Sequence, residues 1–179
     1  MTAQANVYGQ AFYALAKDEN CDRQILEELS VLEASFEKEP EFLRLLANPG
    51  ISKQERCAVV DAVLKEKAHP YVGNFLKLLT EKGYARQFFQ CVKAYRTHYN
   101  DDHGILPVVA VTAAPLTRAQ MDKLTEKLAA LTGKTVELTN RLDESVIGGV
   151  RLEYSGHLMD DTLQHRLEAV RRTLKNTVL

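Results

Sequence analysis

The chain has 179 residues, 45% of them hydrophobic and 26% charged, with a formal net charge of −1. That length holds one large domain or two small ones, and the composition is that of an ordinary globular protein rather than a disordered or fibrous one. Basic and acidic side chains number 13 and 15 up to Gly104 and 10 and 9 after it, so neither half is drawn as a whole toward nucleic acid or anionic lipid.

No apolar run is long enough to span a bilayer. The opening MTAQANVYGQ has neither the basic start and apolar core of a signal peptide nor the arginines of a transit peptide, so no leader is expected. Cys21, Cys57 and Cys91 are odd in number and far apart, which fits neither a disulfide framework nor a zinc site. Buried thiols in a reducing cytosol are the expectation.

The first predicted helix covers residues 4–17. Val7, Tyr8, Ala11, Phe12 and Leu15 form a stripe at helical spacing, and Tyr13 and Ala14 widen it beyond half the circumference. One apolar face serves a core; a second needs another partner. Gly9, inside this helix, costs about 1 kcal/mol relative to alanine, a cost that the close approach of another helix would justify. A second helix runs over 22–38, with Ile25, Leu29, Leu32 and Phe36 on one face and glutamates on the others. A short third helix over 40–47 ends at Asn48-Pro49-Gly50.

Ser52 and Glu55 form a capping box that opens a fourth helix through Cys57, Val60, Val63 and Leu64. His69-Pro70 breaks it and starts a fifth over 71–82, closed by Gly83. This helix, with Val72, Phe75, Leu76, Leu78 and Leu79, is again apolar on more than one face, and Asn74 lies beside that surface. A sixth helix is expected from Ala85 to about Tyr99, before the polar run Asn100 to Gly104, which reads as a domain boundary. Six helices joined by short loops make an antiparallel bundle over residues 1–104.

After Gly104 the pattern changes. Ile105 to Thr112 is rich in β-branched residues and reads as a strand, with Pro107 placing its start at an edge. Thr117 and Gln120 form a second capping box, opening a helix through Met121, Leu124, Leu128 and Leu131 that stops at Gly133. Val136 and Leu138, then Val146, Val150 and Leu152, alternate as strands do, around a turn at Asp143-Glu144-Ser145. Gly148-Gly149 within the second run marks a bulge, and the plain reading is a bulged hairpin. Asp160 or Asp161 is expected to cap a last helix carrying Leu163, Leu167, Val170 and Leu174. The fold class is therefore mainly α: an N-terminal six-helix bundle, 1–104, followed by a small α/β domain, 105–179.

Catalytic chemistry finds no footing in this pattern. The five histidines show no i, i+4 metal spacing, and Gly148-Gly149 is followed by no Lys-Ser/Thr phosphate loop. No serine sits in a nucleophile elbow. Asp160-Asp161 reads as a helix cap with first-turn charge rather than an acid–base pair. No cofactor, metal or catalytic residue is expected.

Four stretches carry a resemblance. Residues 136–152, with Leu142-Asp143 and then Val146-Ile147-Gly148-Gly149-Val150-Arg151-Leu152, resemble the C-terminal signature of the delta subunit of F-type ATP synthases, the family of the mitochondrial oligomycin-sensitivity-conferring protein. Tyr8 to Ala16 is similar to that family's opening, usually Arg-Tyr-Ala-x-Ala-Leu, with Val7 in place of the arginine and Gly9 in place of an alanine. Asn74 to Gly83 resembles its fifth helix, with Tyr84 where an arginine is usual, and Asp161-Thr162 stands where the family has Asp-x-Ser or Asp-Ser.

The resemblance implies a stator subunit at the top of the peripheral stalk, at the cytoplasmic face of a bacterial membrane, peripheral and not inserted. The N-terminal bundle would take the alpha subunit's N-terminal helix between helices one and five. The C-terminal part would hold the C-terminal end of the b subunits. Tyr8, Ala11, Phe12, Leu15, Asn74, Phe75, Leu78 and Leu79 are the expected partner-binding residues, with Tyr8, Ala11, Asn74 and Leu78 facing outward. Asp143, Gly148, Gly149 and Asp161 are the expected structural motif. The rival from another class is a helical-bundle RNA-binding regulator, which should carry a basic stripe; this bundle is net acidic.

Overall fold

In the computed structural model Thr2 caps the first helix, its hydroxyl accepting a hydrogen bond from the Ala5 N–H. Residues 2–65, 67–146, 148–154 and 157–160 are described. Asp161 and the expected last helix, with Leu163, Leu167, Val170 and Leu174, lie outside them. Internal contacts gather the chain into two compact units, Met1–Tyr99 and Asn100–Leu179.

The first unit holds α1 (Ala3–Asp18), α2 (Asp22–Lys38), α3 (Pro40–Leu46), α4 (Lys53–Leu64) and α5 (Pro70–Glu81), then a 3-10 turn (Ala85–Gln87) that leads into α6 (Phe88–Asp102). Local chemistry explains most of these limits. Pro40 and Pro70 stand in the first turns of α3 and α5, where a missing N–H costs nothing. The Ser52–Glu55 capping box is formed in both directions at α4. Gly83 follows α5 at φ 78°, a left-handed conformation suited to glycine. The sixth helix differs from its expected form at both ends: it starts as a 3-10 turn, and it continues through Asn100, which is buried, to Asp102.

The core of this unit is built from Ile25, Leu29 and Phe36 of α2, Val60 and Leu64 of α4, Leu76 and Leu79 of α5, and Phe88, Val92 and Tyr95 of α6. Gly9 has the explanation its position called for. A Cβ there would stand 2.4 Å from the Cys91 carbonyl oxygen and 2.6 Å from the Ala94 Cβ, so α1 passes α6 at a distance that only glycine permits. Tyr95 is fully buried, and its hydroxyl donates to the Asp22 carbonyl at 2.8 Å, joining α6 to the start of α2. Burial pushes both the Tyr95 phenol and the Cys91 thiol up, the latter from 9.0 to about 11.

The second unit contains β1 (Ile105–Thr112), α7 (Arg118–Thr132), β2 (Thr135–Leu142), β3 (Arg151–Tyr154) and β4 (His157–Asp160) in one sheet of order β2-β1-β3-β4. β1 and β2 are parallel, from Ile105 opposite Thr135 to Thr112 opposite Leu142, with α7 as their crossover. β3 lies antiparallel to β1, and β4 antiparallel to β3. Leu106, Val108, Ala110, Leu128, Val136 and Leu152 form the core, with Leu124, Leu138 and Val150 packed against it.

The expected hairpin between residues 136 and 152 is not formed. β1 stands between β2 and β3, so the two alternating runs are next-nearest rather than nearest neighbours. The glycine pair accordingly sits in the connecting loop, before β3, and not inside a strand. β1 is central over Val108–Val111, but Pro107 lies one residue beyond the stretch paired with β3, where a missing donor is tolerated. Leu131, near the end of α7, is 82% exposed, because the helix meets the sheet along Leu124 and Leu128. Asp160 ends β4.

Candidate functional site

The two helices with surplus apolar surface lie side by side. Phe12 of α1 and Phe75 of α5 stack with centroids 4.2 Å apart. Above that stack runs a groove of about 370 Å³ lined by Tyr8, Ala11, Phe12, Leu15, Tyr71, Asn74, Phe75 and Leu78. No lining residue is charged. Phe12 and Phe75 are nearly buried and make the floor. Ala11, Leu15, Asn74 and Leu78 are exposed and Tyr8 is half-buried, forming the walls.

Seven of the eight residues expected on this surface therefore line one groove. Leu79 does not. It is 0% exposed, because the hundred-degree step from Leu78 turns it into the bundle core. Of the four expected to face outward, Ala11, Asn74 and Leu78 are exposed and Tyr8 is half-buried. Tyr71 was missed. It stands in the first turn of α5, one turn before Phe75, and that i, i+4 spacing was the available signal.

The Tyr71 end of the groove is anchored. The His69 N–H donates to Glu28 of α2 at 2.6 Å, and the His69 Nδ1 accepts from the Tyr71 N–H at 3.3 Å. The His69 and Tyr71 rings also meet, 4.9 Å between centroids. A carboxylate at the start of a helix is favoured by the helix dipole, so Glu28 holds the first turn of α5, and with it Tyr71, in place.

In the second unit the motif residues act on a loop. Asp143 Oδ1 accepts from the Ser145 N–H at 2.9 Å and from the Ser145 hydroxyl at 2.5 Å, while Oδ2 accepts from Arg151 Nη2 at 3.0 Å. The Ser145 hydrogen bonds foremost, then the Arg151 guanidinium, hold the Asp143 carboxyl below the ordinary carboxylate range. Gly148 and Gly149 take φ of 146° and 86°. Asp143 thus joins the end of β2 to the start of β3 across a turn that only glycine follows without strain.

Among the described residues, no three His, Cys, Asp or Glu side chains gather as a metal site, and no helix is long and apolar enough to cross a membrane. The described residues thus form a helical bundle with an uncharged apolar furrow, followed in the chain by a small α/β unit.

The family model for the ATP synthase delta (OSCP) subunit matches residues 5–174. The chain is 33% identical over 171 residues to ATP synthase subunit delta of Leuconostoc citreum, covering 95% of this chain and 94% of that one. It is 32% identical over 168 residues to the same subunit of Lacticaseibacillus casei, covering 93% and 92%. A chain of the Toxoplasma gondii mitochondrial ATP synthase hexamer shares the fold, with a TM-score of 0.79 at 20% identity, over 97% of this chain and 98% of that one. The chain belongs to the ATP synthase delta (OSCP) subunit family. It is a peripheral-stalk subunit of an F-type ATP synthase, linking the catalytic head to the membrane sector and catalysing nothing itself.

Proposed function

We propose that the groove between α1 and α5 takes the N-terminal helix of an alpha subunit, while the C-terminal α/β unit holds the C-terminal end of the b subunits. The observation that carries this reading is the groove lining: apolar, uncharged and floored by the Phe12–Phe75 stack. An amphipathic helix laid in such a furrow buries its apolar face with no exposed charge to desolvate. Tyr8 supplies a ring with a polar tip, and Asn74 an amide that sets register by a hydrogen bond.

The mechanism is mechanical. The rotor applies torque to the head, and the stalk resists it through tight contacts, each 1.4 kcal/mol being worth about tenfold in dissociation constant. Work is divided between the helical part up to Gly104, which grips the head, and the part after it, which grips the stalk. The protein sits peripherally at the cytoplasmic face of the cell membrane and contacts no nucleic acid. The net acidic bundle speaks against the RNA-binding alternative.

Affinity capture of the tagged protein from detergent-solubilised native membranes is the test. Recovery of alpha, beta, gamma and b subunits is expected. Capture without alpha would refute the groove assignment, and capture without b the assignment of the C-terminal unit.

A further inference from the structure

The groove does not end at Tyr8. A second pocket, of about 310 Å³, is lined by Ala3, Gln4, Val7, Tyr8 and Tyr84, and Tyr8 is common to both. The Tyr8 and Tyr84 rings touch, 5.5 Å between centroids and tilted by 51°, so Tyr84 prolongs the α5 wall three residues past the end of that helix. This pocket again carries no charged side chain. Val7 on its rim is 61% exposed, an apolar side chain left uncovered by the described residues.

The α1 side of the pocket is held in place. Thr2 caps the helix, its backbone N–H donates to Gln90 Oε1 at 3.0 Å, and its hydroxyl donates to Gln87 Oε1 at 2.7 Å. A first helical turn ordinarily frays. Here side chains of α6 and its leading 3-10 turn bind it, so Ala3, Gln4 and Val7 form a preorganised surface.

The geometry points to a longer docking track than the groove alone: the partner helix continues past Tyr8 and seats a further apolar side chain in the Val7–Tyr8–Tyr84 pocket. This rests on the groove reading above. Continuity decides the occupant, because a helix lying along α1 over Tyr8 to Leu15 reaches Val7 and Gln4 by one more turn of its own length. With a rise of 1.5 Å per residue, the track lengthens from about 11 Å to about 18 Å, so the bound segment needs on the order of 12 residues in helical register rather than 7. The absence of charge in both pockets requires the apolar stripe of the partner to run unbroken over that length.

The test titrates the full chain with a synthetic peptide of the alpha subunit's N-terminal helix, recording a melting curve for each variant. Val7→Asp places a carboxylate in the second pocket only, and Val7→Thr keeps the shape without charge. Ala11→Glu disrupts the first groove only. The expected result is binding about tenfold weaker in Val7→Asp, equivalent to 1.4 kcal/mol, with affinity retained in Val7→Thr and melting unchanged in both. Ala11→Glu should lose binding outright. Wild-type affinity in Val7→Asp alongside lost binding in Ala11→Glu would overturn the extended track and leave the groove standing. Wild-type affinity in both variants, or no binding by the unmodified chain, would overturn the groove and the extension together.

Discussion

Phe12 of α1 and Phe75 of α5 lie face to face, 7° from parallel, and each is 5% exposed. Phe12 also tilts against Tyr95 of α6 at 5.5 Å. One pair of rings is therefore both the roof of the bundle core and the floor of the groove. Truncation at this point removes two things at once. Phe12→Ala should cost about 3–5 kcal/mol of stability and weaken the helix peptide as well. Urea unfolding followed by circular dichroism, with peptide titration in parallel, measures both; loss of only one would show that the stack serves a single surface.

Ala11 gives the contrasting case. It is exposed beside that stack and forms part of the groove wall. Ala11→Glu leaves the unbound bundle as stable as before, because the new carboxylate is solvated there, but it buries an unpaired charge in the complex, at a cost of several kcal/mol, roughly 2–5. Unchanged melting with peptide binding abolished is the expected pair of results. A collapsed melting temperature would place Ala11 in the core.

Gly9→Ala is a test of sign. On helix propensity alone the change stabilises by about 1 kcal/mol. The added Cβ would stand 2.4 Å from the Cys91 carbonyl oxygen and 3.1 Å from the Tyr95 nitrogen, and these are backbone atoms that do not swing aside. Overpacking of this kind costs about 1–3 kcal/mol, so the urea midpoint should fall. A rise would mean that α1 and α6 separate freely.

How far these features were legible in the sequence follows the range of the interaction behind them. The Ser52–Glu55 and Thr117–Gln120 capping boxes and the stop at Gly83 involve residues within one helical turn, and they stand where the sequence placed them. The stripes of α1 and α5 were legible as surplus, but a helix apolar on several faces does not declare which one is core, and Leu79 fell on the wrong side of that division. Strand order was hidden for another reason. The alternation in residues 136–152 reports strands with a buried face and says nothing of a third strand, β1, inserted between them. Tyr84 lies past the end of its helix, where no periodicity extends, so its return to Tyr8 appears only in three dimensions.

Alkaline pH should unfold the bundle through buried groups that hold their protons. In the unfolded chain the Cys91 thiol ionises around its ordinary 9.0, whereas in the native bundle burial delays this to about 11. A raised native value means that the native state binds the proton more tightly, so stability is complete below 9.0 and is lost as the pH climbs toward about 11. Tyr95, raised by burial first and by Asp22 next, acts in the same direction at higher pH. The urea midpoint should fall across this alkaline window, and Cys91→Ala should flatten the lower part of the fall. An unchanged slope in that variant would exclude the thiol as a cause.

Gly149 tests the loop between β2 and β3. Its φ of 86° is a conformation that β-branched residues avoid, and the loop around it is already constrained. Asp143 is committed to Ser145 on one side and Arg151 on the other, and Val146 is 3% exposed between them. Strain at residue 149 therefore acts two residues from Arg151, which is bonded to Asp143 and begins β3. Gly149→Val should cost about 1–3 kcal/mol, while Gly149→Asn, whose side chain tolerates positive φ, should cost less. Hydrogen exchange localises the damage. Amides of Val108–Val111 and Arg151–Tyr154, which pair β1 with β3, should exchange faster in the valine variant, while those of α1 and α6 keep their protection. Wild-type protection throughout β3 in Gly149→Val would show that the loop absorbs the change and that the left-handed conformation at residue 149 is not what sets the β1–β3 register.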